Sequence, residues 1–269
     1  MAYKRILYEK IEDNLAKITA NRPDKRNAMD DLMSEEIEGA FIQADLDDDV
    51  SVIILAGAGK DFCVGADVSI DGKEEAKGIA GKAGKIKANG PEGVKAWYYS
   101  RGKEMMTIRG VSKPTIAMVQ GNCVGAGWFM ASMCDLIVAA EDARFIDSLT
   151  RFSIAGMRQF VQPYDVGFRR AKWMMWTNEP LSAQEAKQIG LVLRVFPGEK
   201  LEEETLNMAR QIASRSQDAV RLTKLSVNFA LDLMGQRNAM SYHVMSHEMS
   251  RMLKGGRATW VDKPKQGTV

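Results

Sequence analysis

The sequence predicts an α/β protein. Short, continuous, β-branched runs recur along the first two thirds of the chain. Segments of helical periodicity lie between them, and the stretch after residue 180 reads as mostly helical. Continuous apolar runs suit strands buried on both faces, as in parallel sheets. Their alternation with helices calls for right-handed crossovers.

The elements follow in order. "MAYKRILYEK" runs straight into a strand. "LAKITANRP" alternates and stops at Arg22-Pro23, as an edge strand entering a loop would. "DDLMSEEIEGAFIQADLD" carries apolar residues at helical spacing. "SVIILAGAG", "PTIAMVQG" and "DLIVAAE" read as buried strands. Residues 68–96, rich in Gly, Lys and Ala, read as a long loop, with a functional lid and an idle insertion equally open. "VKAWYYSRGKEMMTIRG" predicts a helix ending at Gly110. In "SAQE", Ser182 caps a helix and Glu185 reaches back, a capping box, and Gly190 stops that helix before the strand "LVLRVF". Helices over roughly 199–215, 217–234 and 237–254 follow. The division is an α/β core over 1–198 and a helical extension over 199–269, with no internal repeat visible.

The chain has 269 residues, 45% hydrophobic and 27% charged, enough for one large domain or a domain plus an extension. A net charge of +2 without a basic block gives no case for nucleic acid. The apolar runs are too short for a bilayer. The first residues show neither an apolar signal core nor transit-peptide composition, so a cytoplasmic location is expected. Cys63, Cys123 and Cys134 lack metal or disulfide spacing and are expected to be buried thiols. His243 and His247 fall at i, i+4 beside Glu248. Without an H-E-x-x-H order or a third ligand nearby, surface or interface histidines are expected ahead of zinc ligands. Methionines, as in "KWMMW", read as core or interface filler.

"GNCVGAGWFM" (121–130) places its glycines as G-x-x-x-G-x-G, which matches neither the dinucleotide fingerprint nor the P-loop. Tight packing and an oxyanion hole remain open. "KDFCVGADVS" (60–69) is a second strand-end turn with a glycine. Two such turns can offer one N–H each to a single oxygen.

"NRPDKRNAM" (21–29), "FCVGADVS" (62–69), "KPTIAMVQGNCVGAG" (113–127), "CDLIVAAEDARF" (134–145) and "LSAQEAKQIGLVLRVFP" (181–197) together resemble the crotonase superfamily, that of enoyl-CoA hydratase and isomerase. The resemblance covers most of residues 1–230. It implies a crotonase-type α/β spiral of repeated ββα units, with a C-terminal helical region that builds a homotrimer or a dimer of trimers. It also implies an acyl-CoA thioester substrate, with coenzyme A as part of that substrate and no further cofactor. Two backbone N–H groups would hold the enolate oxygen, those of Ala66 in "VGAD" and Ala126 in "VGAG", the latter a position where the family usually has glycine. Arg26 matches a basic position near the CoA phosphates. Asp67 falls on a carboxylate common in the family, read as mainly structural. Ala28, Val64, Gly65, Val68 and Gly125 complete the implied substrate contacts.

The likeness breaks at the catalytic carboxylates. Family hydratases carry two glutamates that position and activate water. The first position here is Phe129. The chain is about two residues shorter than the family pattern between Phe145 and Gly167, so the second position matches Asp147, Ser148 or Leu149. Of these only Asp147 can act as acid or base. "GMRQFVQPY" (156–164) also replaces a small, glycine-rich segment. The expected function is enolate chemistry on an acyl-CoA with weak conventional hydration. The alternative is a CoA-ester binding or scaffold protein impaired in catalysis. Trp128 and Phe129, with Trp97, Tyr98 and Tyr99, are expected either to line the pocket of a bulky acyl group or to be ordinary core.

Overall fold

A computed structural model describes residues 3–67 and 101–252. The long loop read over 68–96, the aromatic run at 97–99 and Val68 lie outside the described residues.

Strands β1 (Ile6–Ile11) and β2 (Leu15–Ala20) form an antiparallel hairpin. β3 (Val52–Gly57), β4 (Thr115–Val119), β6 (Leu136–Ala140) and β9 (Arg194–Phe196) extend it as a parallel sheet in the order β1-β2-β3-β4-β6-β9. All residues of β3 and β4 are buried, as their unbroken apolar runs require. The edge strand is β1. β2 is internal, paired with β1 on one side and β3 on the other, and all but one of its residues are buried.

A second, smaller sheet joins β5 (Asn122–Val124), β7 (Arg144–Ile146) and β8 (Leu181–Ser182) in the order β5-β7-β8. A parallel bridge between Cys63 and Cys123 continues it by one turn of chain, and a bridge between Met29 and Ala66 by another. Each pass of the chain thus gives a strand to the large sheet and then a short extended segment to the small one. A helix follows, as α3 (Ala126–Ser132) follows β4 and β5. This is the ββα spiral. The repeat is geometric, and different residues fill each turn, so no sequence repeat accompanies it.

Helix α1 (Asp31–Leu46) is capped by Asp30, whose carboxylate accepts from Met33 N (2.8 Å). It packs against α2 (Arg101–Gly110), which ends at Gly110 as read. α4 (Gln162–Val166) and α5 (Phe168–Thr177) follow the small sheet. In α6 (Ala183–Gln188) the Ser182/Glu185 capping box is complete. α7 (Leu201–Ala213), α8 (Gln217–Leu233) and α9 (Gln236–Met252) fall within two residues of the helices read from periodicity. Leu201 and Ala209 of α7 are buried in one cluster with Leu15, Val52, Ile54 and Val138 of the large sheet. α7 therefore packs on the large sheet. The three cysteines are free and buried; burial pushes Cys63 up to about 12 and raises Cys123 and Cys134 as well, so none is a thiolate at neutral pH. Among the described residues, no helix is long and apolar enough to cross a membrane.

Candidate active site

Three successive spiral turns meet at the same end of the small sheet. The first, 22–29, is held by its own side chains. Asn27 Oδ1 accepts from Arg22 N (2.9 Å), and Asn27 Nδ2 donates to the carbonyls of Ala58 (2.8 Å) and Asp61 (2.7 Å). Arg26 and Asn27 both sit in the left-handed region, which turns the backbone sharply. Arg26 Nε donates to Asp61 Oδ2 (2.7 Å), yet 58% of the Arg26 side chain remains exposed. Ala28 N donates to Lys25 O (3.0 Å), closing this turn next to Arg26.

The second turn, 63–67, is stitched to the first. Val64 N donates to Arg26 O (3.2 Å), Met29 N to Gly65 O (2.8 Å) and Asp67 N to Met29 O (2.8 Å). Arg22 Nη2 pairs with Asp67 Oδ2 at 2.9 Å, with both side chains buried. Asp67 thus holds the turn in place, the structural part read for it.

The third turn begins α3. Val124 N donates to Cys63 O (2.9 Å) and Gly125 N to Ile146 O (3.0 Å). Gly65 has a φ of +97°. A Cβ there would lie 3.1 Å from Val124 O and 3.8 Å from Ala126 N, so glycine is what lets the second turn lie against the third. A Cβ on Gly127 would meet Cys63 O at 2.5 Å, so its absence seats α3 directly on the second turn. Among the described residues, neither Ala66 N–H nor Ala126 N–H donates to a backbone acceptor. Ala126 is the first residue of α3, where an N–H has no partner within the helix. Ala66 is exposed and Ala126 half-buried, so both donors sit at the surface of this junction.

Asp61 ties the three turns together and was not singled out in the sequence. Its Oδ1 accepts from Asn122 N (2.9 Å) at the start of β5, while Oδ2 holds Arg26. Burial alone would raise its carboxyl, but Arg26 and Asn122 outweigh this and hold it below the usual range.

Asp147 follows β7 directly, one residue past the carbonyl that accepts from Gly125 N. Its residue is 1% exposed. Oδ2 accepts from Gln162 Nε2 (2.8 Å) and Oδ1 from Leu149 N (3.2 Å). Burial raises its carboxyl, against the backbone donors of Leu149 and Met157. Met157 also meets the third turn: a Cβ on Gly125 would lie 3.3 Å from its Sδ.

Trp128 and Phe129 are both fully buried, which is the core reading of the two offered for them. Trp128 Nε1 donates to Asp165 Oδ2 (2.8 Å), and its ring packs edge-on against Phe145 at 5.9 Å. Asp165 also accepts from Ser132 Oγ at 2.5 Å. Its carboxyl is pushed up to about 6, burial outweighing these two donors. The two histidines are not surface groups. His243 and His247 face inward from α9 and are buried, and no group of three metal-ligating side chains exists among the described residues.

The chain belongs to the enoyl-CoA hydratase/isomerase family, whose family model matches residues 10–266. It is 35% identical to the Mycobacterium tuberculosis protein assigned as enoyl-CoA hydratase EchA13, over 96% of this chain and 85% of that one. Among solved structures, a probable enoyl-CoA hydratase from Mycobacterium smegmatis superposes with a TM-score of 0.81 at 32% identity, covering 92% of this chain and 94% of that one. An enoyl-CoA hydratase/isomerase from Xanthobacter autotrophicus Py2 gives 0.79 at 31%, covering 93% and 88%.

Proposed function

We propose that this protein converts an acyl-CoA thioester through an enolate, its oxygen held by the N–H groups of Ala66 and Ala126. The observation that carries the reading is the contact of the two turns, with a Cβ at Gly65 only 3.8 Å from Ala126 N and both donors free of backbone acceptors. Donors already in position stabilise developing charge without reorganising. Arg26 supplies an exposed cation for a CoA phosphate, with Ala28 and Val64 in the turns beside it. Coenzyme A enters with the substrate, and the chemistry requires no other cofactor. Asp147 moves the proton. With Phe129 where the family hydratases position water, isomerisation or another enolate reaction is favoured over hydration. Because Phe129 is buried in the core, it gives no reason to favour a bulky or cyclic acyl group over a short one. Unpaired buried thiols suit a reducing, cytoplasmic setting. Assembly into a trimer, or a dimer of trimers, fits the exposed Leu222, Leu225, Phe229 and Leu233 along α8.

Ala126→Pro tests the hole. Proline is tolerated at the first position of a helix, removes the N–H and puts its ring Cδ in that place. The expected result is turnover lower by roughly 10²–10³-fold or more, with a smaller loss of CoA-ester binding. Unchanged turnover sinks the assignment.

The second reading is a CoA-ester binding protein without catalysis, favoured by the burial of Phe129 in the core, which leaves no carboxylate at that position. It predicts affinity with no product across a panel of short, long and aromatic acyl-CoAs. Product from any one of them removes it.

A further inference from the structure

The C-terminal helix reaches the catalytic loop. Segment 154–157 runs beside Asp147 and is gripped from α9 at two places. Ala155 N donates to Ser250 Oγ (3.0 Å), and His247 Nδ1 lies 2.7 Å from Gly156 O. One turn earlier, the His243 ring stacks on Phe160, with centroids 4.0 Å apart and planes 9° from parallel. His243 is more than nine-tenths buried, yet its Nε2 makes no hydrogen bond among the described residues.

Gly156 lies next to both that nitrogen and Asp147. A Cβ on Gly156 would lie 3.6 Å from His243 Nε2 and 3.7 Å from Asp147 Oδ2. The same point is 2.3 Å from Met175 Cε, so a methionine methyl fills the gap between acid and imidazole. An unbranched thioether turns aside more readily than any other core side chain. Resting on the enolate reading above, we propose that His243 is the positioning residue and proton-exchange partner of Asp147. The Asp147 O–H bond breaks, its electron pair stays on oxygen, and the Nε2 lone pair forms the new N–H bond. The carboxylate then takes the proton from the carbon beside the thioester as the enolate forms. Return of that proton to the enolate at another carbon, and of the Nε2 proton to the carboxylate, closes the cycle with no atom gained or lost.

Burial favours the neutral form of each group. Burial raises the Asp147 carboxyl, and burial lowers His243 against the backbone of Ala155 and Met157. The other titratable groups on the packed elements are Arg237, Tyr242, His247, Glu248 and Arg251 on α9, Arg158 on the loop, and Tyr164 and Asp165 on α4. Asp165 is held by Trp128 and Ser132. Arg151, Arg169 and Lys172 are exposed and Arg170 is half-buried.

With two histidines in the whole chain, the imidazole signals are separable. The test is an NMR titration of histidine-labelled full-length protein, with His243→Gln to assign the signal. Asp147→Asn is expected to move the His243 midpoint by about half a pH unit or more, since two groups that exchange a proton titrate as a coupled pair. An unmoved midpoint overturns the proposal, whether or not the protein turns over any substrate. In parallel, His243→Phe keeps the stack on Phe160. It is expected to lower deuterium exchange at the α-carbon of butyryl-CoA and phenylacetyl-CoA at least about tenfold, and to flatten its pH profile, with binding unchanged. Unchanged exchange and pH profile likewise overturn it. Absence of exchange in the unmodified protein, with the His243 midpoint still sensitive to Asp147, overturns the enolate reading alone.

Discussion

Arg22 and Asp67 form an ion pair of 2.9 Å with both side chains only 8% exposed. The same guanidinium donates through Nη1 to Ala28 O and lies 3.4 Å from Asp30. One cation thereby fixes the first turn, the start of α1 and the residue next to the Ala66 donor.

Asp67→Ala leaves a buried guanidinium with only part of its partners. A broken buried pair costs roughly 3–5 kcal/mol, and the remaining Asp30 places this case near the lower end. Thermal unfolding reads that loss. Because Ala66 is adjacent, turnover is expected to fall more than CoA-ester affinity, and equal losses would show that the turn had not moved.

The Asp165 carboxyl gives a pH signature. Its folded value is about 6, above the ordinary 3.8, so the native state holds this proton to higher pH than the unfolded chain does. Its contribution to stability is therefore complete below about pH 4 and is lost as pH rises through about 6. Asp147, raised by burial, acts with the same sign. Asp165→Asn keeps an acceptor for Trp128 and Ser132 without the charge. Melting temperatures measured from pH 4 to 7.5 are expected to fall less steeply in the variant, and an identical slope would remove Asp165 as the cause.

Phe129→Glu restores the family residue in name only. The position is fully buried, and an unpaired carboxylate there is expected to cost about 4 kcal/mol or more. Denaturant unfolding would show the loss, with no gain in crotonyl-CoA hydration. A variant of normal stability that hydrates crotonyl-CoA would show instead that Phe129 borders the acyl site.

Much of the scaffold was readable in order. β3, β4 and β6 are apolar without interruption because both faces are covered. Ser182 and Glu185 announce their helix, and Gly125 and Gly65 mark turns that backbone must approach closely. β2 was misread as an edge because alternation records which side chains are buried and says nothing of what pairs with the backbone. Trp128 and Phe129 carry no mark that separates a pocket wall from core. Asp61 and Arg22 act through contacts about 35–60 residues along the chain, and His243 through one about 90 residues away. Such contacts leave no period or local motif behind.

The bond from Ala155 N to Ser250 Oγ spans 95 residues. During synthesis, the turns bearing Ala66 and Ala126 can close on each other soon after residue 146 has emerged. The loop beside Asp147 must wait until residue 250 is free. Domains fold as their sequence becomes available, so a nascent chain can bring the 63–67 and 124–127 turns together well before segment 154–157 is fastened to α9. A chain cut short before Ser250 would keep the contact between those turns and lose that fastening beside Asp147.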